Sequence, residues 1–212
     1  MFQWFIWDFD GTLFDTYPAV NRALLESLAS LGFREDPAET MRRLKERQGP
    51  ALAFYQRKYG LPDGALQEDF RRRERVLVRE SRPFPEALDL CREIQSRGGK
   101  NLLYTHRDGS AWELMRAGGM AELFEGGVTS EDGFPPKPAP DAVLFLMQQY
   151  AIPPAAAVMV GDRLLDARAG LNAGIAGCLW DPEGAHPDFA GLRVRSLSEL
   201  APLLPPVSPG GR

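Results

Sequence analysis

The chain has 212 residues, of which 44% are hydrophobic and 25% charged, with a formal net charge of −4. This is the composition of an ordinary water-soluble globular protein, long enough for one packed domain or for a core with a smaller companion. The acidic balance argues against a nucleic-acid binder with a broad basic face, and no apolar run reaches the about 18 residues of a membrane span.

In chain order, Gln3 to Trp7 is apolar on both faces, as in a strand buried between helix layers. It reads as a first strand and not as a signal peptide. Asp8 and Asp10 follow, two apart, before a Gly11-Thr12 turn. If the strand continued through them, both carboxylates would point to one side, which costs free energy unless a cation, a shared proton or a charged ligand accompanies them. Pro18 to Gly32 has helical spacing. Residues 36–82 are rich in Arg, Glu and Leu at helical periods, with no convincing strand, and read as an insert of several short helices.

From Pro85 the rhythm alternates. Helices are expected over 85–97, 109–118, Pro140 to Tyr150 and 164–174; strands are expected at KNLLYT, near Gly127 to Thr129, at AAAVMVGD and at IAGCLWD. Such alternation implies an α/β fold, a parallel sheet with helices on both faces, whose site forms beyond the carboxyl ends of the strands. The expected division is a Rossmann-like core of 1–15 and 83–204, a helical unit of 16–82 and a flexible tail of 205–212. Cys91 and Cys178 match no metal-ligand spacing, so reduced core thiols and a cytoplasmic location are expected.

Four segments place chemistry at that edge: Asp8 and Asp10 after the first strand; Thr105, His106 and Arg107 in LLYTHRDGS; Lys137 in the proline-stiffened GFPPKPAPDA; and Asp162 and Asp166 in VMVGDRLLDARAG. The carboxylates suit a hard divalent cation such as Mg²⁺, while lysine, hydroxyls and turn amides suit an anionic phosphate ester. The set fits phosphoryl transfer. One aspartate can attack phosphorus, and the other can give and take the proton.

DFDGTLFDT, Thr105, Lys137 and GDRLLDA together resemble the four motifs of the haloacid dehalogenase-like superfamily, in order, over about Phe2 to Pro202. The insert resembles that family's helical cap, the nearest branch is phosphoglycolate-phosphatase-like, and YTHRD resembles one bacterial subgroup. The resemblance implies Asp8 as nucleophile and metal ligand. It makes Asp10 the general acid/base that also gives its backbone carbonyl to Mg²⁺. Thr105 and Lys137 would bind the phosphoryl group, Asp162 the metal, and Asp166 the metal shell or the lysine. Gly11, Thr12, His106 and Arg107 are expected near the substrate. Glu86 stands where many relatives carry glycine. Two other readings stay open, a phosphomutase and a non-catalytic phospho-ligand binder.

In the helical insert, Arg43, Lys45 and Arg47 are candidates for gripping an anionic substrate tail, against a solvated helix face. Gln48 and Gly49 are expected in a loop, and hinges near Asp15 to Pro18 and Ser81 to Pro85. The expected partner is a small phosphorylated metabolite, without nucleic acid or membrane; no oligomeric state is implied.

Overall fold

A computed structural model describes residues 1–206. The chain divides into two compact units, one made of Met1–Phe14 with the chain from Pro83 onward, the other of Asp15–Arg82.

The first unit is built on a six-stranded sheet. Its strands are β1 (Trp4–Trp7), β2 (Lys100–Tyr104), β3 (Phe124–Val128), β4 (Ala157–Gly161), β5 (Ala176–Trp180) and β6 (Leu192–Val194), in the order β3-β2-β1-β4-β5-β6. Every neighbouring pair is parallel. The chain lays strands outward from β1 on one side, then returns to β1 and builds the other side from β4. That reversal puts a crevice beyond the carboxyl ends of β1 and β4.

Central strands here must be apolar on both faces, and β1 and β4 are: Phe5 to Trp7 and Ala157 to Val160 are fully buried. One polar side chain sits among them by satisfying every neighbour. Asn101 accepts from Trp7 Nε1 at 2.9 Å and donates to the carbonyls of Cys91 and Leu123, both at 3.0 Å. Cys91 and Cys178 are buried and not joined, and burial pushes both thiols up.

The helical unit contains α1 (Tyr17–Ser30), α2 (Pro37–Glu46), α3 (Gln48–Lys58) and α4 (Ala65–Leu77). Asp36 caps α2 by accepting from the N–H groups of Ala38 and Glu39, with Pro37 just inside, a local stop-start that sequence alone dictates. Val20, Leu24, Leu28, Leu44, Leu52, Tyr55 and Phe70 form its own core. The exposed side of α2 carries Arg42 between Glu39 and Glu46, with ion pairs at 2.9 and 2.6 Å, a solvated face. Arg43 lies 3.7 Å from the Phe54 ring centre, and Lys45 lies 5.9 Å from that of Tyr17.

Several expectations need correction. Gln48 and Gly49 are not a loop: Arg47 alone breaks the chain with extended φ −165° and ψ 123°, and Gln48 opens α3. The strand expected at Gly127 to Thr129 starts earlier, at Phe124, and Thr129 instead caps a short 3-10 turn through Glu131 N. β6 and the 3-10 segment Leu197–Leu203 were not expected. Glu86, in α5 (Pro85–Ser96), accepts from Ser196 Oγ and Leu197 N at 3.0 and 3.1 Å, so it anchors that C-terminal segment. Of the tail expected at 205–212, Pro205 is buried and Pro206 exposed, while 207–212 lie outside the described residues. Among the described residues, no helix is long and apolar enough to cross a membrane.

Candidate active site

β1 pairs only as far as Trp7, so Asp8 and Asp10 lie beyond it and part company. Asp8 still follows the sheet, donating from its N–H to Val160 O at 2.9 Å, and its side chain is buried. Beyond it the chain folds into a tight loop. Phe9 O accepts the N–H groups of Thr12, Leu13 and Phe14, and Gly11, at φ +81°, supplies the left-handed residue the loop requires. Asp10 is thereby turned toward Arg107. Arg107 Nε lies 3.0 and 3.2 Å from Asp10 Oδ1 and Oδ2, and Nη2 lies 2.7 Å from Oδ1.

The loop after β4 locks onto the same turn. Thr12 Oγ1 donates to Asp162 Oδ1 at 3.1 Å and accepts from Asp162 N at 2.9 Å. Asp162 does not cap the helix that follows, Leu164–Asn172; Asp166 in its first turn accepts from Arg163 N at 3.0 Å. A Cβ on Gly161 would fall 2.3 Å from Asp166 Cβ, so only glycine lets the end of β4 approach this helix.

Lys137 joins the two sides. Its Nζ lies 2.5 Å from Asp8 Oδ1 and 2.9 Å from Asp166 Oδ1, with all three side chains at most 1% exposed. Its ammonium also sits 4.5 Å from the Tyr104 ring centre, and the backbone N–H of Lys137 donates to His106 Nε2 at 2.9 Å. Thr105 is buried at the end of β2, its hydroxyl accepting from Arg107 N at 3.0 Å.

One ammonium thus serves two buried carboxylates. For Asp166, burial works to raise the pKa, but Lys137 and Arg163 prevail and hold it below the usual range. Asp8 is left with the deficit: burial first and Asp166 second push it up to about 6, against Lys137 and Arg163. Lys137 itself is raised, because the two carboxylates outweigh its burial. Asp8 Oδ2 accepts no hydrogen bond, and Arg163 Nη2 lies 3.9 Å from it.

One carboxylate oxygen each from Asp8, Asp162 and Asp166 lie within 4.8 Å of one another. An all-oxygen donor set, an excess of negative charge over Lys137 and a buried oxygen with no hydrogen bond fit a hard divalent cation.

A family model described as haloacid dehalogenase-like hydrolase matches residues 2–174. The chain belongs to the haloacid dehalogenase-like hydrolases. It is 29% identical over 178 residues to a phosphoglycolate phosphatase of Nitrosospira multiformis, covering 79% of this chain and 78% of that one. Among solved structures, a hydrolase of this family from Deinococcus radiodurans with bound phosphate and sodium matches at 25% identity and a TM-score of 0.75, covering 97% and 98% of the two chains. CbbY from Rhodobacter sphaeroides, in complex with phosphate, matches at 26% identity and a TM-score of 0.76, covering 94% and 96%.

Within this hydrolase, Asp8, Lys137, Asp162 and Asp166 converge, with Thr12 bound to Asp162 and Thr105 at the neighbouring strand end. Sequence reasoning missed Tyr104 beneath Lys137 and the Arg107–Asp10 fork. Tyr104 reads as one more core aromatic, and nothing in YTHRD says which way the arginine turns.

Proposed function

We propose that the chain is a Mg²⁺-dependent phosphatase that hydrolyses a small phosphorylated metabolite through an aspartyl-phosphate on Asp8. The carrying observation is Asp8: a buried carboxylate beyond the central strand, with one oxygen on Lys137 and the other accepting no hydrogen bond. In this reading an Asp8 oxygen attacks phosphorus, the phosphorus–oxygen ester bond breaks, and Asp10, having taken a proton from solvent water, gives it to the leaving oxygen. Asp10 then takes a proton from water as that water attacks phosphorus and returns Asp8 and inorganic phosphate. Thr105 and Lys137 hold the phosphoryl oxygens, with the Gly11 and Thr12 amides, His106 and Arg107 around them.

Asp8, the Asp10 carbonyl, Asp162 and Asp166 are the groups that would hold Mg²⁺. Bound there, the cation would neutralise charge on the phosphoryl oxygens. The names of the phosphoglycolate phosphatase relatives and the phosphate in related structures support a phosphate ester as substrate. The helical unit 16–82 is assigned as the cap that the resemblance implies.

The test is phosphate release from phosphoglycolate, sugar phosphates, nucleotides and pyrophosphate, with Mg²⁺ and with chelator. Metal-dependent multiple turnover of one compound supports the reading. Transfer of the phosphoryl group back to substrate without phosphate release would favour a phosphomutase instead.

A further inference from the structure

We propose that Arg107 is an anion-operated latch on Asp10. The guanidinium that grips the Asp10 carboxylate passes to an oxyanion of the bound phosphate ester, and that exchange turns Asp10 over to the leaving oxygen. The inference rests on the phosphatase reading and adds to it how the acid/base is released.

The geometry carries it. Nε and Nη2 of Arg107 present a fork to the carboxylate at 2.7 to 3.2 Å, the charge-assisted arrangement that is strongest for this pair. A carboxylate held in such a fork has the edge that faces the arginine committed to it and is fixed in that orientation. The Arg107 side chain is 9% exposed and that of Asp10 is 24% exposed. Taking Asp10 away removes the carboxylate that faces this largely enclosed guanidinium, and an incoming anion would take its place. Phosphate and carboxylate oxygens match the same planar fork.

Position points the same way. Arg107 N donates to Thr105 Oγ1, the hydroxyl assigned to the phosphoryl group, and Arg107 O accepts from Ser130 N at 3.0 Å. The arginine backbone is therefore fixed beside the phosphoryl site while its side chain selects between two anions. The incoming oxyanion has two possible sources, the transferring phosphoryl group or a second anion on the leaving group.

The experiment is a calorimetric binding cycle in Mg²⁺ on the wild type, Asp10→Asn, Arg107→Met and the double variant. The probes are two phosphonates that cannot be hydrolysed, propylphosphonate and 3-phosphonopropionate. If Asp10 and the ligand compete for one guanidinium, Asp10→Asn binds tighter by about fivefold or more, the range of ordinary coupling between sites. Arg107→Met binds more weakly, and the double variant is no tighter than Arg107→Met. Equal gains for the two phosphonates make the phosphoryl group the trigger; a larger gain for 3-phosphonopropionate makes it the second anion.

The latch is overturned if Asp10→Asn gains nothing, or if the gain survives intact without Arg107, which is the signature of simple charge removal. Should Arg107→Met not fold, Arg107→Lys keeps the charge but not the fork and is expected to lose most of the gain. Turnover by the wild type decides the phosphatase reading separately. Tightening without hydrolysis of any ester would leave the anion exchange standing and remove that reading.

Discussion

Lys137 Nζ lies 2.5 Å from Asp8 Oδ1, with both side chains sealed from solvent, and the same ammonium reaches Asp166 at 2.9 Å. Asp162 brings a third carboxylate within 4.8 Å, and the three outnumber Lys137 and Arg163, whose guanidinium lies 3.9 Å from Asp8 and 3.7 Å from Asp166. The site is therefore organised around a cation deficit, and its consequences can be measured.

Replacing Lys137 with Met removes the one positive charge the two carboxylates share at hydrogen-bond distance. Breaking a buried ion pair from one side costs about 3–5 kcal/mol. Thermal unfolding should show that loss without added metal, and phosphate release should fall to background. Mg²⁺ should recover part of the stability but not the activity, because the phosphoryl group loses its lysine.

The pH dependence follows from Asp8, pushed up to about 6 by burial and Asp166. Below pH 3.8 Asp8 is protonated both folded and unfolded and contributes nothing. Between 3.8 and 6 the unfolded chain ionises and the folded one does not, so stability without metal falls as pH rises. The penalty levels off above 6 at roughly 3 kcal/mol. A cation that needs ionised Asp8 should therefore raise the Tm more at pH 7.5 than at pH 5. Its apparent affinity should weaken by about tenfold per unit below pH 6. A metal-induced Tm shift independent of pH across this window would contradict the assignment of Asp8 as a ligand.

Gly161→Ala would set a methyl group against Asp166, whose Cβ would be 2.3 Å away. Overpacking of this kind costs about 1–3 kcal/mol. The displaced part is the helix turn carrying Asp166, so kcat should fall by more than the stability loss explains, with the far-UV spectrum unchanged. Retained activity would show that Asp166 tolerates displacement.

In the helical unit, Asp69 accepts from Arg73 at 2.6 Å and also pairs with Arg72. Burial works to raise its pKa, but the two arginines draw it down to about 2. Its contribution is present above pH 3.8 and lost as pH falls toward 2. These are partly exposed pairs, so Asp69→Asn should cost only about 1 kcal/mol at pH 7. The difference from wild type should vanish near pH 2 in urea titrations.

Much of this was legible in the sequence because the signals are local and repeated. Apolar runs of four or five residues ending in Asp8, Thr105 and Asp162 placed three strands and the edge where chemistry gathers. What was hidden depended on other parts of the chain. β6, Leu-Arg-Val, is too short and too polar to read as a strand, and only pairing with β5 makes it one. Gln48 and Gly49 open α3 instead of a loop, with Pro50 in a first turn where its missing N–H costs little. Asn101 is an ordinary polar residue until the strand carries it to Trp7, Cys91 O and Leu123 O. That Asp8 and Asp10 take different partners, Lys137 and Arg107, was not legible, because the Gly11 turn begins before Asp10 and only the fold brings those partners to it.

The claim on which the rest depends is that Asp8 carries the phosphoryl group. The direct measurement is acid quenching of the Mg²⁺-loaded protein during turnover of its best phosphate ester, followed by mass spectrometry of the peptide containing Asp8. The expected result is an acyl-phosphate on Asp8, labile to base, absent with chelator and absent in Asp8→Asn, which also releases no phosphate. Sustained phosphate release by Asp8→Asn, or a phosphorylated residue elsewhere with Asp8 unmodified, would contradict it.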